Sequence, residues 1–372
     1  MKILFIPNNT DNNCYRLRNG MPKEYLEKRG HEVKLQQEFT SHNHPKHGMT
    51  IDPGEIDWCD VVIFNRNYDI DSKYIKALMR YAKEQGKRVV YETDDMLEIV
   101  SKSNPAYQTI YKNIELVQMM MIEADVCTTT GQEIADKIKK YNGNVRILPN
   151  CIVPSEWTPR KKGNKKVKVG WAGGSSHADD LMIILDVIKE LQEEIEFEFV
   201  IFGMSPEPWD EHLKNLREKN AKQMIDRPTA PLAPWFKAYT DLDDKLKEIK
   251  FTHEPFVPLK EYGNKLSEMN LDIGLCPLVE SEFNSCKSCI KFYEYAMVDT
   301  VTLASDVAPY TDEVIMTVKN RHHKWKKKIK MLIEDKELRE RTLKEQKKWV
   351  LENRTIEQNI DKWENVYSEI KL

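Results

Sequence analysis

An alternation of short apolar runs with helical patterns, which occurs twice along the chain, is the feature that most constrains the fold. It extends over residues 1–150 and begins again at residue 167. Strands that alternate with helices form parallel sheets, because a helix is the usual connection between two parallel strands. The sequence therefore predicts an α/β protein with two Rossmann-like, doubly wound parallel-sheet domains that face a cleft.

The length of the chain also favours two domains. It has 372 residues, and single hydrophobic cores stop growing beyond about 250–300 residues. Residues 153–166 combine Pro, Gly and a run of charges without periodicity, which is typical of a linker. In the second half we expect the segment 204–250 to be less regular and the Pro-rich stretch 226–235 to be an inserted surface loop.

Composition excludes some classes of function and location. The 57 Lys and Arg residues nearly balance the 60 Asp and Glu residues, so the net charge of −3 gives the whole molecule no strong attraction for nucleic acid or anionic lipid. No run approaches 18 apolar residues, and the amino terminus lacks a signal-peptide core, so we expect no transmembrane segment and a cytoplasmic location. Seven cysteines, several of them in apolar strand-like runs, predict reduced thiols.

A turn rich in small residues follows the first predicted strand of the second half. Ligands of open parallel sheets bind beyond the carboxyl ends of the strands, where glycines and helix amides can approach an anion. A simple connection between two elements is the alternative interpretation. The residues of this turn, before a helix that begins near His177, are Gly173, Gly174, Ser175 and Ser176.

The segment FNSCKSCIKFYEYAM carries two lysines and a glutamate at helical spacing. If a helix begins near Ser285, steps of about 100° per residue place Lys287, Lys291 and Glu294 on one face. Two ammonium groups near a helix start suit a diphosphate, and a carboxylate roughly 10 Å further along suits ribose hydroxyls. An amphipathic surface helix with solvated charge pairs would show the same spacing.

The same segment contains a Cys-x-x-Cys pair, Cys286 and Cys289. Structural zinc requires four ligands, and no second pair of cysteines accompanies this one. A redox dithiol stays open as an alternative interpretation.

Four segments of the second half together resemble the nucleotide-sugar-binding half of GT-B-fold glycosyltransferases, in the broad group of families 4 and 1. The resemblance covers most of residues 167–372, the run Lys-Ser-x-x-Lys-x-x-Glu-Tyr is its most specific part, and the first half matches more loosely. The segments are VGWAGGSSHADDL, FVPLKEYGNKLSEMNLDIGLCPL, FNSCKSCIKFYEYAMVDTVTLASDVAPY and WVLENRTIEQNIDKWENVYSEI.

The resemblance implies a GT-B fold with three parts. These are an acceptor-side domain over residues 1–155, a nucleotide-sugar-binding domain over 166–345, and a C-terminal helical segment over 346–372 that crosses back to the first domain. It also implies that the turn from Gly173 to His177 closes over the phosphates or the sugar. Val257 would lie in the loop that holds the base.

The resemblance further assigns roles to the lysine-rich segment. Lys287, Ser288 and Lys291 would hold the diphosphate of the donor, and Glu294 would accept hydrogen bonds from its ribose. Many relatives have a second glutamate eight residues before this one, but Cys286 stands there in this chain. Contacts to the transferred sugar must then come from other groups, such as Asn284 or backbone amides.

The implied activity is transfer of a sugar from a nucleotide-diphosphate sugar, such as a UDP- or GDP-sugar, to an acceptor hydroxyl with retention of configuration. No metal or other cofactor is expected to be required. Polysaccharide, lipid-linked glycan, protein and a modified DNA base are all compatible acceptors, and the oligomeric state is not predicted. A nucleotide-sugar 2-epimerase and a catalytically silent nucleotide-sugar-binding protein are the alternatives.

Two adjacent aspartates, Asp94 and Asp95, end a strand of the first half in the segment YETDDML. They are candidates for the catalytic base, for an acceptor contact or for a divalent ion, and a helix cap is the structural alternative. His177 is a further catalytic candidate, through a contact to a phosphate, although a solvent-facing histidine is equally compatible. Tyr15 and Arg16 follow the first strand and are predicted to line the acceptor side.

The strongest basic run, residues 319–333, shows apolar residues at helical spacing. Its lysines then cover the solvent side of an amphipathic helix. If they project beside the cleft instead, they could guide a polyanionic acceptor or a membrane surface.

Overall fold

A computed structural model describes the chain in eight stretches: residues 1–10, 12–36, 41–44, 48–51, 53–159, 163–205, 207–226 and 234–369. The strands of the first half are β1 (Lys2–Ile6), β2 (Glu32–Leu35), β3 (Ser41–His44), β4 (Gly48–Ile51), β5 (Val61–Asn65), β6 (Arg88–Glu92), β7 (Val126–Thr129) and β8 (Val145–Ile147). The strands of the second half are β9 (Lys168–Gly173), β10 (Glu198–Gly203), β11 (Thr252–Glu254), β12 (Ile273–Cys276), β13 (Val301–Ser305) and β14 (Met316–Val318).

Helices connect these strands. Those of the first half are α1 (Asn13–Tyr15), α2 (Met21–Lys28), α3 (Ser72–Glu84), α4 (Tyr107–Lys112), α5 (Ile114–Glu123) and α6 (Gln132–Ile138). Those of the second half are α7 (Ala178–Glu194), α8 (Trp209–Asp226), α9 (Pro234–Leu246), α10 (Leu259–Glu268), α11 (Glu282–Ser285), α12 (Ile290–Met297), α13 (His322–Glu334), α14 (Lys336–Asn353) and α15 (Ile356–Ser368).

Each half contains one six-stranded parallel sheet. The strand orders are β2-β1-β5-β6-β7-β8 and β11-β10-β9-β12-β13-β14, and β3 and β4 form a separate antiparallel pair. The direction of winding reverses between β1 and β5 in the first sheet and between β9 and β12 in the second, and ligands bind in the crevices at such points. The predicted pair of doubly wound parallel sheets is confirmed.

The sheets form because their strands are buried on both faces and their helices on one. All five residues of β5 and of β13 are buried, as expected when helices cover both sides of a parallel sheet. In α3, Asp71 caps the first turn, and the side chains of Ile75, Leu78 and Met79 form the buried stripe. Local sequence and tertiary packing therefore agree in these elements.

The last helix joins the two halves. Ile356, Ile360 and Trp363 of α15 are buried in the same apolar cluster as Ile3 and Phe5 of β1. The chain therefore ends on the first sheet after it has completed the second, and this packing ties the two sheets together.

Several sequence predictions for single elements are wrong. The helical pattern over residues 106–123 predicts a single helix, but the structure has two there, α4 and α5, which meet at Asn113. The segment 204–250 is more regular than expected, because it contains α8 and α9. Of the predicted loop over 226–235, residues 227–233 lie outside the described residues.

The basic run lies in α13 and packs along α7. Lys326 forms ion pairs with Glu190 and Glu194, and Lys330 pairs with Glu194. Glu190 lies twelve residues after the start of α7, so these pairs are roughly 18 Å along the helix from the carboxyl edge of the sheet. The lysines at 326 and 330 therefore cover a charged helix surface away from the carboxyl ends of the strands.

Across the described stretches, we find no helix whose length and apolar character would let it cross a bilayer.

A buried ion pair anchors the segment after β1 to the first sheet. Arg18 and Glu92 are both almost fully buried, and Arg18 Nε donates to Glu92 Oε1 over 2.8 Å. Arg18 Nη1 also donates to the carbonyl of Leu148 and to Asn150 Oδ1. Asn150 Nδ2 in turn donates to Ser288 Oγ over 2.8 Å, so the network extends from the first sheet into the second half.

We predict that Glu92→Gln lowers the free energy of unfolding by about 3–5 kcal/mol, because it leaves the guanidinium of Arg18 buried without a counter-charge. Urea unfolding followed by circular dichroism measures this. The control is Glu27→Gln, which breaks the exposed pair between Lys23 and Glu27 and should cost at most about 0.5 kcal/mol. Equal effects of the two substitutions would contradict a structural role for the buried pair.

Candidate functional site

The carboxyl ends of the two sheets meet across one cleft. Asn13 Nδ2, from the first half, lies 3.3 Å from Glu294 Oε1 of the second. On the opposite rim, Ser103 Oγ donates to Asp179 Oδ2 over 2.7 Å. The switch points of both sheets therefore contribute to a single site.

The lysine-rich segment begins differently from the prediction. Ser281 caps the short helix α11, which ends at Ser285, and α12 begins only at Ile290. Lys287 and Ser288 therefore lie in the turn between two helices, and the helix expected to begin near Ser285 is not present. The turn nevertheless brings Lys287 against the first half of the chain.

An aspartate of the first half meets Lys287 across the cleft. Asp95 Oδ1 lies 3.8 Å from Lys287 Nζ, and Asp95 Oδ2 lies 3.2 Å from Arg66 Nη1. Burial acts to raise the pKa of Asp95, but the charges of Lys287 and Arg66 outweigh it and hold that pKa below its ordinary value. Asp95 is therefore an ionised carboxylate in the cleft.

Asp94 has a different environment from its neighbour. It forms an ion pair with Arg66, whose guanidinium also donates to Cys14 Sγ. The 3₁₀ turn Leu97–Ile99 has no side-chain cap, so the predicted capping role of the aspartates is wrong. Within the described stretches no three His, Cys, Asp or Glu side chains form a group that could hold a metal ion.

Lys291 lies behind Lys287, next to the turn after β9. Its Nζ lies 4.9 Å from the centre of the Trp171 ring. A Cβ atom added at Gly173 would approach this Nζ to 3.0 Å and the Trp171 ring to 2.5 Å, so only glycine fits there. Burial, and secondarily the nearby charge of Lys287, lowers the pKa of Lys291. A buried amine beside a second amine favours binding of an anion.

The turn after β9 is a 3₁₀ turn, Ser175–His177, followed by α7. Gly174 and Ser176 of this turn are exposed, and Gly174 has nothing within 4 Å of where a Cβ would lie. The turn thus leaves open space beside Lys291.

His177 is oriented by an aspartate of α7. Its Nδ1 lies 2.6 Å from Asp180 Oδ2, while Asp180 Oδ1 accepts hydrogen bonds from the amide of Val279 and from Asn284 Nδ2. Burial, followed by the charge of Lys291, lowers the pKa of His177 to about 4. The imidazole is therefore neutral near pH 7, and donation from Nδ1 leaves Nε2 as a hydrogen-bond acceptor.

Glu294 is held by one group from each half of the chain. Asn13 Nδ2 donates to Oε1, and Tyr262 OH donates to Oε2 over 2.8 Å. The side chain is buried, and this burial raises its pKa to about 7, although the two hydrogen bonds act in the opposite direction. Near neutral pH this carboxyl group exchanges its proton readily.

A cavity of about 690 Å³ opens beside Glu294. Both halves of the chain line it, and pockets of this size suit a nucleoside-sized ligand. Its lining includes Asn13, Tyr15, Arg16, Trp157, Lys260 and Tyr262.

Tyr15 and Arg16 line this cavity, at the Glu294 end of the cleft. Arg16 Nη1 lies 3.1 Å from Glu24, and its other terminal nitrogen pairs with Glu156. Val257 is partly buried and packs against the apolar cluster of the second half. The predicted acceptor-side and base-side residues are therefore close to the same end of the cleft.

The cysteines of the Cys-x-x-Cys pair point into different cores. Cys286 packs in the apolar cluster of the first half, and Cys289 in that of the second, where its thiol donates to the carbonyl of Pro309. Burial raises the pKa of Cys286 to about 11. All seven cysteines are free, and two separated, protonated thiols do not form a redox dithiol.

Four contributors to the site were missed in the sequence: Asn13, Arg66, Asp180 and Tyr262. The polar stretch after β1 and the arginine directly after β5 were visible as polar residues at strand ends. Tyr262 had no such signal, because its role depends on tertiary contacts.

Folding raises the pKa of Glu294 from 4.5 to about 7, so the contribution of Glu294 to stability falls as the pH rises through this range. The folded state holds this proton where the unfolded state has released it, so the contribution is complete below pH 4.5 and lost above pH 7. His177, whose pKa folding lowers from 6.5 to about 4, contributes with the opposite sign over nearly the same range. We predict that the difference in stability between wild type and Glu294→Gln changes by about 3 kcal/mol between pH 4.5 and pH 7.

Urea unfolding at a series of pH values tests this, with the exposed Glu261 changed to Gln as the control. If Glu294→Gln and wild type show parallel profiles, the raised pKa is wrong.

Comparison with known proteins identifies the fold. No protein-family model and no curated protein sequence matches the chain. Its structure is similar to an α-glucosyltransferase solved with UDP-glucose and DNA containing an abasic site, with a TM-score of 0.64, 14% identity and 99% of each chain covered.

Two further structures are similar over nearly the whole chain. A glycosyltransferase from Rickettsia africae has a TM-score of 0.61 and 9% identity, with 99% of this chain and 98% of that one covered. The catalytic domain of starch synthase IV from Arabidopsis thaliana, bound to ADP and acarbose, has a TM-score of 0.59, 9% identity and the same coverage. The chain has the GT-B fold, and the fold implied by the sequence resemblance is confirmed.

Proposed function

We propose that this protein is a glycosyltransferase that moves a sugar from a nucleoside diphosphate sugar to an acceptor hydroxyl. The observation that carries this proposal is the line of groups formed by Lys287, Lys291 and Glu294 at the cleft. Two amines followed by a carboxylate match the order of a diphosphate followed by a ribose. Similar solved structures hold UDP-glucose, UDP or ADP, which supports a donor of this class.

In the proposed complex, the diphosphate lies between the two lysines and the turn at Gly173. Ser288 contributes its hydroxyl hydrogen, because its oxygen already accepts from Asn150. Backbone amides of Gly174, Ser175 and Ser176 face the same anion. Glu294 accepts hydrogen bonds from the ribose hydroxyls, and the base extends into the cavity of about 690 Å³ toward the loop at Val257.

The chemical step breaks the bond between the anomeric carbon and the diphosphate oxygen and forms a bond to the acceptor oxygen. Negative charge that develops on the leaving diphosphate is stabilised by Lys287 and Lys291, which are already in place before the reaction. The leaving phosphate takes the acceptor proton in a front-face mechanism, which gives retention of configuration. No side-chain base is then required.

The proposed sugar pocket lies on the side of Lys287 that faces the first half. Cys286, which stands where many relatives have a glutamate, is buried in an apolar cluster and does not reach this pocket. Asp95 supplies an ionised carboxylate there, and neutral His177 supplies the Nε2 acceptor. Both groups suit hydrogen bonds from hydroxyls of the sugar or of the acceptor. Asp94 stays with Arg66 and fixes the position of its neighbour.

A donor panel tests the activity. UDP-glucose, UDP-N-acetylglucosamine, GDP-mannose and ADP-glucose are screened by thermal shift, and the best donor is then incubated with candidate acceptors and analysed by mass spectrometry. Transfer of one sugar mass to an acceptor supports the proposal. Isomerised donor without an acceptor would indicate an epimerase, and binding with neither transfer nor hydrolysis would indicate a silent binding protein.

We predict that Lys291→Ala weakens binding of the donor nucleotide at least tenfold, because a charge-assisted contact to a phosphate is lost. Isothermal titration calorimetry with the best nucleoside diphosphate measures it. The control is Lys344→Ala, which removes an exposed lysine on α14. Equal affinity of Lys291→Ala and wild type would overturn the diphosphate assignment.

We predict that Asp95→Asn lowers turnover about 10²-fold or more without weakening the binding of the free nucleoside diphosphate. The carboxylate that competes with phosphate for Lys287 is removed, so the diphosphate itself should bind equally well or more tightly. Calorimetry and initial rates with the best donor separate the two effects. A variant with normal turnover, or one with a matching loss of diphosphate affinity, would contradict this role.

A further inference from the structure

An exposed pair of stacked tyrosines lies on the first half of the chain. The rings of Tyr107 and Tyr111 in α4 have centroids 5.6 Å apart and planes at 21°. Tyr111 is 62% exposed, while Ile110 between them is buried and holds the helix on the core. The ring of Tyr111 therefore contributes little to the core and presents one face to solvent.

The segment that carries the two rings has lysines but no carboxylates; Glu98 before it pairs with Lys140, and the exposed Glu115 follows it. Residues 99–114 contain two lysines and no aspartate or glutamate, and both Lys102 and Lys112 are exposed. Neither lysine forms an ion pair with a carboxylate elsewhere in the described stretches. We call Tyr107, Tyr111, Lys102 and Lys112 the tyrosine ledge.

The ledge begins at the rim of the cleft. Ser103 donates to Asp179 in the first turn of α7, two residues after His177. Tyr107 is four residues from Ser103, which is at most about 14 Å of chain, and Tyr111 is about 6 Å further along the helix. A polymer that lies on the ledge can therefore reach the proposed sugar pocket within a few of its repeat units.

We infer that the tyrosine ledge binds a nucleic acid strand and that the acceptor hydroxyl is carried on this strand; the inference rests on the proposed glycosyltransferase function. Bases stack on aromatic side chains whatever their sequence, and lysines beside the stack neutralise phosphates. A neutral glycan would use the rings but gain nothing from the two lysines. The ledge thus gives local attraction for a polyanion to a molecule whose net charge is −3.

Fluorescence anisotropy with a short fluorescein-labelled single-stranded DNA and its duplex tests the inference, with the best-binding nucleoside diphosphate present. We expect Tyr111→Ala to weaken binding of the single strand about tenfold, from the loss of one stacked base. The double variant Lys102→Glu/Lys112→Glu should also weaken it, and should reduce the slope of log affinity against log salt by about one and a half.

Matched controls separate the ledge from general effects. Trp58→Ala removes another aromatic ring that lies beside two lysines, Lys2 and Lys34. Trp58 precedes β5, so it lies at the amino ends of the strands, away from the cleft. Lys336→Glu/Lys348→Glu makes the same charge change at exposed positions on α14. Both control variants should bind the DNA like wild type, and thermal melts check that each variant is folded.

The outcomes are distinct. DNA affinity that is unchanged in Tyr111→Ala, or is lost equally in the controls, overturns the inference, as does binding of soluble starch but not DNA through the same ring. In these cases intact binding of the nucleoside diphosphate, measured by calorimetry, leaves the proposed function standing. If the wild-type protein bound none of the nucleoside diphosphates, the proposed function itself would be contradicted.

Discussion

The placement of two amines, Lys287 and Lys291, near one another at the cleft is the constraint on which the site depends. Burial and the charge of Lys287 lower the pKa of Lys291, while Asp180 and Glu294 act in the opposite direction. Across the cleft, Asp95 lies 3.8 Å from Lys287. In the proposed complex, a diphosphate would neutralise both amines at once.

Both halves of the chain contribute charged groups to the cleft, Arg66 and Asp95 from the first and Lys287, Lys291 and Glu294 from the second, and a buried network connects the two sides. The buried pair of Arg18 and Glu92 connects through Asn150 to Ser288, directly beside Lys287. The position of the diphosphate turn is therefore fixed partly by the opposite sheet. A substitution at Arg18 or Glu92 would therefore be felt at Ser288, because the buried members of this network have few other hydrogen-bond partners.

Periodicity and strand-end chemistry were sufficient to predict the two parallel sheets and the cleft, since both depend on patterns of neighbouring residues. The roles proposed for Lys287 and Lys291 rest on spacing and on resemblance. The helix start was not predicted correctly, because the α11–turn–α12 geometry depends on the cap at Ser281. Arg66, Tyr262 and Asn284 come from separate elements, so no local spacing could connect them. The burial of Cys286 in the apolar cluster of the first half could not be predicted from neighbouring residues either.

The chemistry of the cleft divides along its length. At one end, Glu294 has a pKa near 7 and two neutral donors, so it can adjust its protonation to the hydroxyls it meets. At the other end, Asp95 is firmly ionised and His177 firmly neutral. Fixed protonation is what a pocket needs in order to orient hydroxyl groups at a reacting carbon, whereas adaptable protonation suits a binding contact. In the proposed complex, the carboxylate that adapts therefore lies at the nucleoside end, and the one that does not adapt lies at the sugar end.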